Sequence, residues 1–240
     1  MSSNTSVWAV VPAAGIGSRM QADIPKQYLS IADKTILQLT LERLSQHPRI
    51  KGIVVALADD DRWWSQLELD LDCELLTARG GENRSDSVSN ALKVLRLHTE
   101  TESQYPLVLV HDAARPCLRL EDIDHMLVKL SDHETGGILG VPVTDTVKRV
   151  DDMGSIQQTI NREGLWRAAT PQMFPLLKLQ HALSYCVANN ILVTDEASAI
   201  EAIGEHPQMI EGHSDNIKIT LPQDLALAAL FLRQQEEKNQ

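Results

Sequence analysis

The chain has 240 residues, 43% of them apolar, and a formal net charge of −11: enough for one large domain or two small ones, and acidic enough to repel nucleic acid and anionic lipid. No apolar run approaches the roughly 18 residues of a membrane span, and nothing at the start resembles a secretory signal. Cys73, Cys117 and Cys186 are odd in number and widely spaced, which suits a reducing cytosol and buried thiols, and His, Cys and acidic residues show no zinc-site spacing.

Residues 1–6 are polar and are expected to fray. Val7, Ala9, Val10 and Val11 predict a buried strand over about 7–12. Pro12, Ala13, Ala14, Gly15 and Gly17 follow, and their small side chains let backbone N–H groups approach a bound group. Arg19 and Lys26 lie on the same loop, so bare amides and two cations point to a polyanion. The Walker pattern does not fit, because the loop runs Ser18-Arg19-Met20. The dinucleotide pattern would need glycine at Met20, which leaves Asp33 a decoy for a ribose-binding acid.

Leu37, Leu41 and Leu44 predict a helix over 35–46, stopped near His47-Pro48. Ile53–Ala58 reads as a second buried strand, and Asp59, Asp60 and Asp61 as a solvated cap or the start of a helix through Trp63 and Leu67. A third short strand covers 74–76. In GGENRSDSV, residues 80–88, glycines end a strand while Arg84, Ser85 and Ser87 open a helix with an apolar stripe of Val88, Ala91, Leu92 and Leu95. Free N–H groups at such a helix start attract anions. Leu107–Val110 is a strand running into HDAARP, residues 111–116. Asp112 therefore stands at the carboxyl end of a strand, where open α/β sheets bind ligands. With Arg115 it forms either a structural ion pair or a site for a metal–phosphate or hydroxylated substrate. His111 is equally a hydrogen-bonded core residue.

A helix over about 121–130 and a strand over 137–143 come next. Residues 144–166 alternate, turn at Asp151-Asp152-Met153-Gly154 and alternate again from Ile156, which predicts a projecting β-hairpin. Thr146 and Arg162 decorate it, and Thr170 follows. A helix over 175–188, another capped at Thr194-Asp195, and a strand at 209–211 complete the alternation. Ile217-Lys218-Ile219 reads as a strand, and a lysine there without a partner would be costly, so an anionic ligand would explain it. Pro222 opens the last helix, and residues 234–240 read as a polar tail. The class is α/β, with a mostly parallel sheet in three layers, one domain and no internal repeat.

PAAGIGSRM with PKQYL, GGENRSDSV, VHDAARP, DTVKR with NREGLW and ATPQ, and EGHSDNIKIT occur in this order. Over about residues 7–232 the chain resembles the 2-C-methyl-D-erythritol 4-phosphate cytidylyltransferase family. It ends after the last helix and does not look like the fused form carrying a cyclodiphosphate synthase. The resemblance implies a Rossmann-like nucleotidyltransferase fold and a cytosolic homodimer using CTP and magnesium, with 144–166 as the dimerisation arm. It places Arg19 and Lys26 at the triphosphate, beside the backbone of Ala13, Ala14 and Gly15. Gly81, Glu82 and Ser87 match the cytosine and ribose pocket. Asp112 and Arg115 would lie beside the acceptor, with Asp112 also near the metal. Thr146 and Arg162 would reach the partner's acceptor phosphate, and Thr170 and Lys218 match further site positions. An aspartate also occurs in the family where Glu82 stands. A ribitol-5-phosphate cytidylyltransferase and a non-catalytic nucleotide sensor are the alternatives.

Overall fold

The computed structural model describes residues 6–15 and 24–238; Arg19 lies outside them. The strands are β1 (Val7–Pro12), β2 (Ser30–Ile31), β3 (Lys34–Thr35), β4 (Ile50–Leu57), β5 (Glu74–Arg79), β6 (Leu107–Val110), β7 (Gly137–Pro142), β8 (Val147–Val150), β9 (Ile156–Ile160), β10 (Trp166–Pro175) and β11 (Gln208–Glu211). The helices are α1 (Ile36–Ser45), α2 (Arg84–His98), α3 (Leu120–Leu130), α4 (Leu176–Ala188), α5 (Glu196–Ala202) and α6 (Pro222–Lys238).

A seven-stranded sheet in the order β11-β7-β10-β6-β1-β4-β5 forms the middle layer. β1 pairs in parallel with β4 and β6, β4 with β5, and β7 with β11. β1 reads as continuous apolar sequence because both its faces are covered. Val7, Ala9 and Val11 pack with the apolar faces of α1 and α3. Trp8 and Val10 pack with Val88, Ala91, Leu92 and Leu95 of α2 and with α4 and α5. Each fully buried aliphatic side chain contributes about 1.5–3 kcal/mol by leaving water. A smaller cluster sets Ala228 and Leu232 of α6 against Ile31, Ile36, Ala114 and Ile219, at one end of the sheet.

Helix boundaries follow local chemistry. Thr35 and Gln38 form a reciprocal capping box at α1, and Asp195 caps α5 by accepting from Ser198 N at 2.9 Å. Four readings are narrowed or changed. Asp59–Asp61 starts no helix: Asp61 accepts from Trp63 N and Trp64 N, both at 3.1 Å, and only a single 3-10 turn, Trp64–Gln66, follows. Side-chain bonds to nearby amides favour turns over helix. Residues 217–219 form no strand: their tie to the neighbouring segment is Ile219 N to Ala114 O at 2.9 Å, not a strand ladder. The polar tail is helical to Lys238, because Leu232 is buried and Gln235 Nε2 donates to Cys117 O at 2.9 Å.

The fourth change is the largest. β8 and β9 form the expected antiparallel hairpin outside the main sheet. The chain then returns as β10, which lies antiparallel between β6 and β7 with Gln172, Met173 and Phe174 buried. Cys117 and Cys186 are buried and Cys73 half-buried, all three free. Burial raises the Cys73 thiol to about 11 and the Cys117 thiol to about 12, so neither is a reactive thiolate near neutrality. Among the described residues no helix is long and apolar enough to cross a membrane.

Candidate active site

The pocket opens beyond the carboxyl ends of β1, β5 and β6, as expected for an open α/β sheet. Ala13, Ala14 and Gly15 leave β1, Gly81 and Glu82 leave β5, and Asp112 leaves β6; Lys26 and Lys218 line the same pocket. The first loop stays against the sheet because Ala13 N donates to Ala56 O at 2.8 Å. Gln27, buried beside Lys26, donates from Nε2 to Ala13 O at 2.5 Å and ties that turn to the loop. Two glycines let the second loop come close. A Cβ on Gly80 would sit 2.3 Å from Ala14 Cβ, and one on Gly81 2.2 Å from Asp86 Cβ. Ser87 Oγ accepts from Gly81 N at 3.0 Å and donates to Asn83 O at 3.2 Å, so it fixes the turn from the first turn of α2.

Charge collects around Asp112, which is 7% exposed. Arg84 Nε approaches its Oδ1 at 3.0 Å, while Arg115 Nε and Lys218 Nζ approach Oδ2 at 3.3 and 2.9 Å. Burial would raise its pKa, but Arg84, Lys218 and Arg115 together hold the carboxyl well below the usual carboxylate range. The other end of Arg84 meets Glu196, at 2.6 Å from Nη1 to Oε1 and 3.0 Å from Nη2 to Oε2. Burial opposes the charge of both partners; it raises Glu196, while for Arg84 the two carboxylates prevail and its pKa is raised. Burial likewise lowers Arg115 against the pull of Asp112. Lys26 Nζ donates to Ile219 O at 3.1 Å.

Behind the pocket a neutral network holds Asp112 in place. Thr170 Oγ1 accepts from Asp112 N at 3.0 Å and lies 3.1 Å from His111 Nδ1. His111 Nε2 lies 3.0 Å from Arg115 O. Burial lowers the His111 pKa to about 4, so the imidazole is a neutral core group. Asn216 Nδ2 donates to Thr170 O at 2.8 Å, and Asn216 O accepts from Arg115 Nη1 at 2.7 Å.

The pocket thus brings together Ala13, Ala14, Gly15, Lys26, Gly81, Glu82, Ser87, Asp112 and Lys218. Arg115 and Thr170 brace Asp112 from behind. Lys218 needs no ligand to explain it, since Asp112 is its partner. Thr146 and Arg162 do not line this pocket: both are exposed at the base of the β8–β9 hairpin, where Arg162 donates to Thr144 O. Glu196, Gln27 and Asn216 escaped the sequence reading. Gln27 and Asn216 lie inside the motifs PKQYL and EGHSDNIKIT, and Glu196 is a second acid beside the cap of α5. Among the described residues no group of three His, Cys, Asp or Glu could hold a metal. Of the two predicted carboxylates that line the pocket, Glu82 and Asp112, Asp112 is the one set among the cations. Its three cations leave part of the roughly four lone-pair sites of a carboxylate unused.

The chain is similar to known proteins in sequence and in fold. The family model described as "IspD: 2-C-methyl-D-erythritol 4-phosphate cytidylyltransferase" matches residues 7–234. A 2-C-methyl-D-erythritol 4-phosphate cytidylyltransferase of Vibrio vulnificus is 49% identical over 236 residues, 98% of each chain. One from Pseudomonas putida is 50% identical over 218 residues, covering 91% of this chain and 92% of its own. The crystal structure of the Francisella tularensis enzyme of that name superposes with a TM-score of 0.81 at 37% identity, over 95% of this chain and all of its own. With the matched model spanning nearly every element described above, this chain belongs to the IspD, or 2-C-methyl-D-erythritol 4-phosphate cytidylyltransferase, family.

Proposed function

We propose that this chain transfers CMP from CTP to 2-C-methyl-D-erythritol 4-phosphate, giving 4-diphosphocytidyl-2-C-methyl-D-erythritol and pyrophosphate. The observation that carries the reading is a single pocket, in a chain of this family, where small-residue loops meet Lys26, Lys218 and Asp112. The backbone of Ala13, Ala14 and Gly15 would take the nucleotide, with Arg19 and Lys26 at its phosphates. Gly81, Glu82 and Ser87 would face cytosine and ribose. Asp112, Arg115 and Thr170 would set the acceptor, and Lys218 would stand between the two anions. A phosphate monoester has a second pKa of about 6, so the attacking oxygen is already anionic near neutrality. No general base is needed, which agrees with a buried, neutral His111. The task left to the protein is to bring two anions together and offset charge on the transferring group. A magnesium ion carried by the triphosphate would neutralise phosphate charge; Asp112 is the residue that would hold it, consistent with a hard ion bound by one carboxylate and phosphates.

The reading extends to the whole chain as one nucleotidyltransferase domain in the cytoplasm, a homodimer whose 144–166 arms exchange. Val150, Met153 and Ile156 on the hairpin are exposed apolar residues, which supports a covering partner. Thr146 and Arg162 would then reach the partner's acceptor phosphate.

The test is pyrophosphate release with each nucleotide and acceptor. Amides and carbonyls around Ala14, Gly81 and Glu82 should match the cytosine edge and leave uracil unpaired. CTP is expected over UTP by at least about 10²-fold in kcat/KM, roughly 3 kcal/mol, with methylerythritol phosphate the preferred acceptor. Preference for ribitol 5-phosphate would replace the acceptor assignment. CTP binding with no turnover of either acceptor would leave a nucleotide sensor.

A further inference from the structure

Glu196 is 0% exposed, yet it carries a carboxylate. Burying a charge is unfavourable unless every lone pair is answered. Here both oxygens are engaged by the guanidinium of Arg84, at 2.6 and 3.0 Å. Its two chain neighbours are held by β10: Gln172 Nε2 donates to Asp195 Oδ2, and Gln172 Oε1 accepts from Ala197 N, each at 2.9 Å. Gln172 is 1% exposed, so this clamp belongs to the core of the sheet.

The consequence lies at the far edge of Arg84. With Nη1 and Nη2 committed to Glu196, the guanidinium presents Nε to Asp112 Oδ1 at 3.0 Å. Released from Glu196, it would prefer to meet Asp112 with a two-pronged fork. That would rotate the carboxylate away from Arg115 and Lys218, which share its other oxygen. We infer that Glu196 is a positioning residue: through Arg84 it sets the orientation of the Asp112 carboxylate and so the alignment of the acceptor for attack. The inference rests on the reading of Asp112 as an acceptor-site group. It gives the buried pair a purpose that stability does not, since buried ion pairs are often replaceable by apolar residues without loss.

Glu196→Gln keeps shape but turns one acceptor into an N–H2 facing another donor, so the fork must break. Wild type, Glu196→Gln, Arg84→Lys and the double variant are compared by steady-state kinetics and by CTP titration without acceptor or magnesium, so that the Asp112 contact to the metal does not enter the affinity. Glu196→Gln should lower kcat/KM for methylerythritol phosphate at least about tenfold, since misalignment by an ångström is costly in rate. CTP affinity should stay within about threefold, because Ala14 and Gly81 are anchored elsewhere, and a general defect of the fold would not produce that split. The double variant should be no worse than about twofold below the worse single one, as expected of residues acting in series. A folded Glu196→Gln with kcat/KM within twofold of wild type overturns the inference, as do losses that multiply in the double variant. If Glu196→Gln yields no folded protein by circular dichroism, Arg84→Lys decides alone. A tenfold loss with CTP affinity retained supports the link, and unchanged kinetics or an equal loss of CTP affinity overturns it. A wild-type protein that binds CTP but turns over no acceptor fails the functional reading itself, and this inference with it.

Discussion

Lys26 reaches the pocket from the 3-10 turn Lys26–Tyr28, and its ammonium is one of the few local cations in a chain of net charge −11. As a point charge on the transferring phosphate it should act mainly in the transition state. Lys26→Ala is expected to lower kcat by more than about 10²-fold, near 3 kcal/mol, with CTP affinity falling less. Single-turnover kinetics beside CTP titration check this, and an unchanged kcat removes Lys26 from the chemistry. His111 makes a different prediction. Its pKa falls from 6.5 to about 4 in the fold, chiefly through burial. The unfolded chain therefore takes up the proton first as the pH falls. The stability tied to neutral His111 is complete above about 6.5, lost progressively on acidification and exhausted near 4, a total of about 3 kcal/mol. Asp112, also depressed, loses its contribution only at lower pH, below the ordinary carboxylate value of 3.8. Urea unfolding of wild type and His111→Gln at several pH values between 7 and 4 should give curves that converge on acidification. Parallel curves would show that the imidazole titrates normally.

The turn between β5 and α2 works as an element because it has no side chains where it meets the loop after β1. A Cβ at Gly80 would lie 2.3 Å from Ala14 Cβ and 2.9 Å from Leu57 O. The second neighbour is backbone and cannot swing aside. Gly80→Ala should push the two loops apart, lower CTP affinity at least about tenfold and cost about 1–3 kcal/mol of stability as overpacking. Calorimetric titration and thermal unfolding read the two effects. Wild-type CTP affinity would mean that the loops need not touch for the nucleotide to bind.

At the scale of the molecule the question is what completes the site. Arg162 and Thr146 lie on the exposed hairpin and line no part of the pocket formed by β1, β5 and β6. Two arms exchanged about a two-fold axis would carry each Arg162 to the neighbour, where its fork could clamp the acceptor phosphate. Activity should then fall on dilution below the dimer dissociation constant. Arg162→Ala and Lys26→Ala chains, each nearly inactive, should complement when mixed. With random 1:1 assortment half the dimers are mixed and hold one intact site each, so about a quarter of wild-type sites should work. A mixed sample no faster than the mean of its parents, with subunit exchange verified, returns Arg162 to its own subunit or to no site.

The sequence alone determined whatever depends on neighbours within a few turns of chain. Runs such as Val7–Val11 and stripes such as Val88-Ala91-Leu92-Leu95 announce buried strand and amphipathic helix by their own periodicity. The small-residue loops are legible because a close backbone approach tolerates few residue types, and the order of the motifs marked the family. Tertiary structure decided the rest. β10 hid behind a polar arm, and only its insertion between β6 and β7 explains why Gln172 is buried. Lys218 looked unpartnered until the fold set Asp112 beside it. Arg84 and Glu196 stand 112 residues apart. No local pattern specifies such a pair, because its energy comes from desolvation and fork geometry that exist only once α2, α5 and β10 have packed.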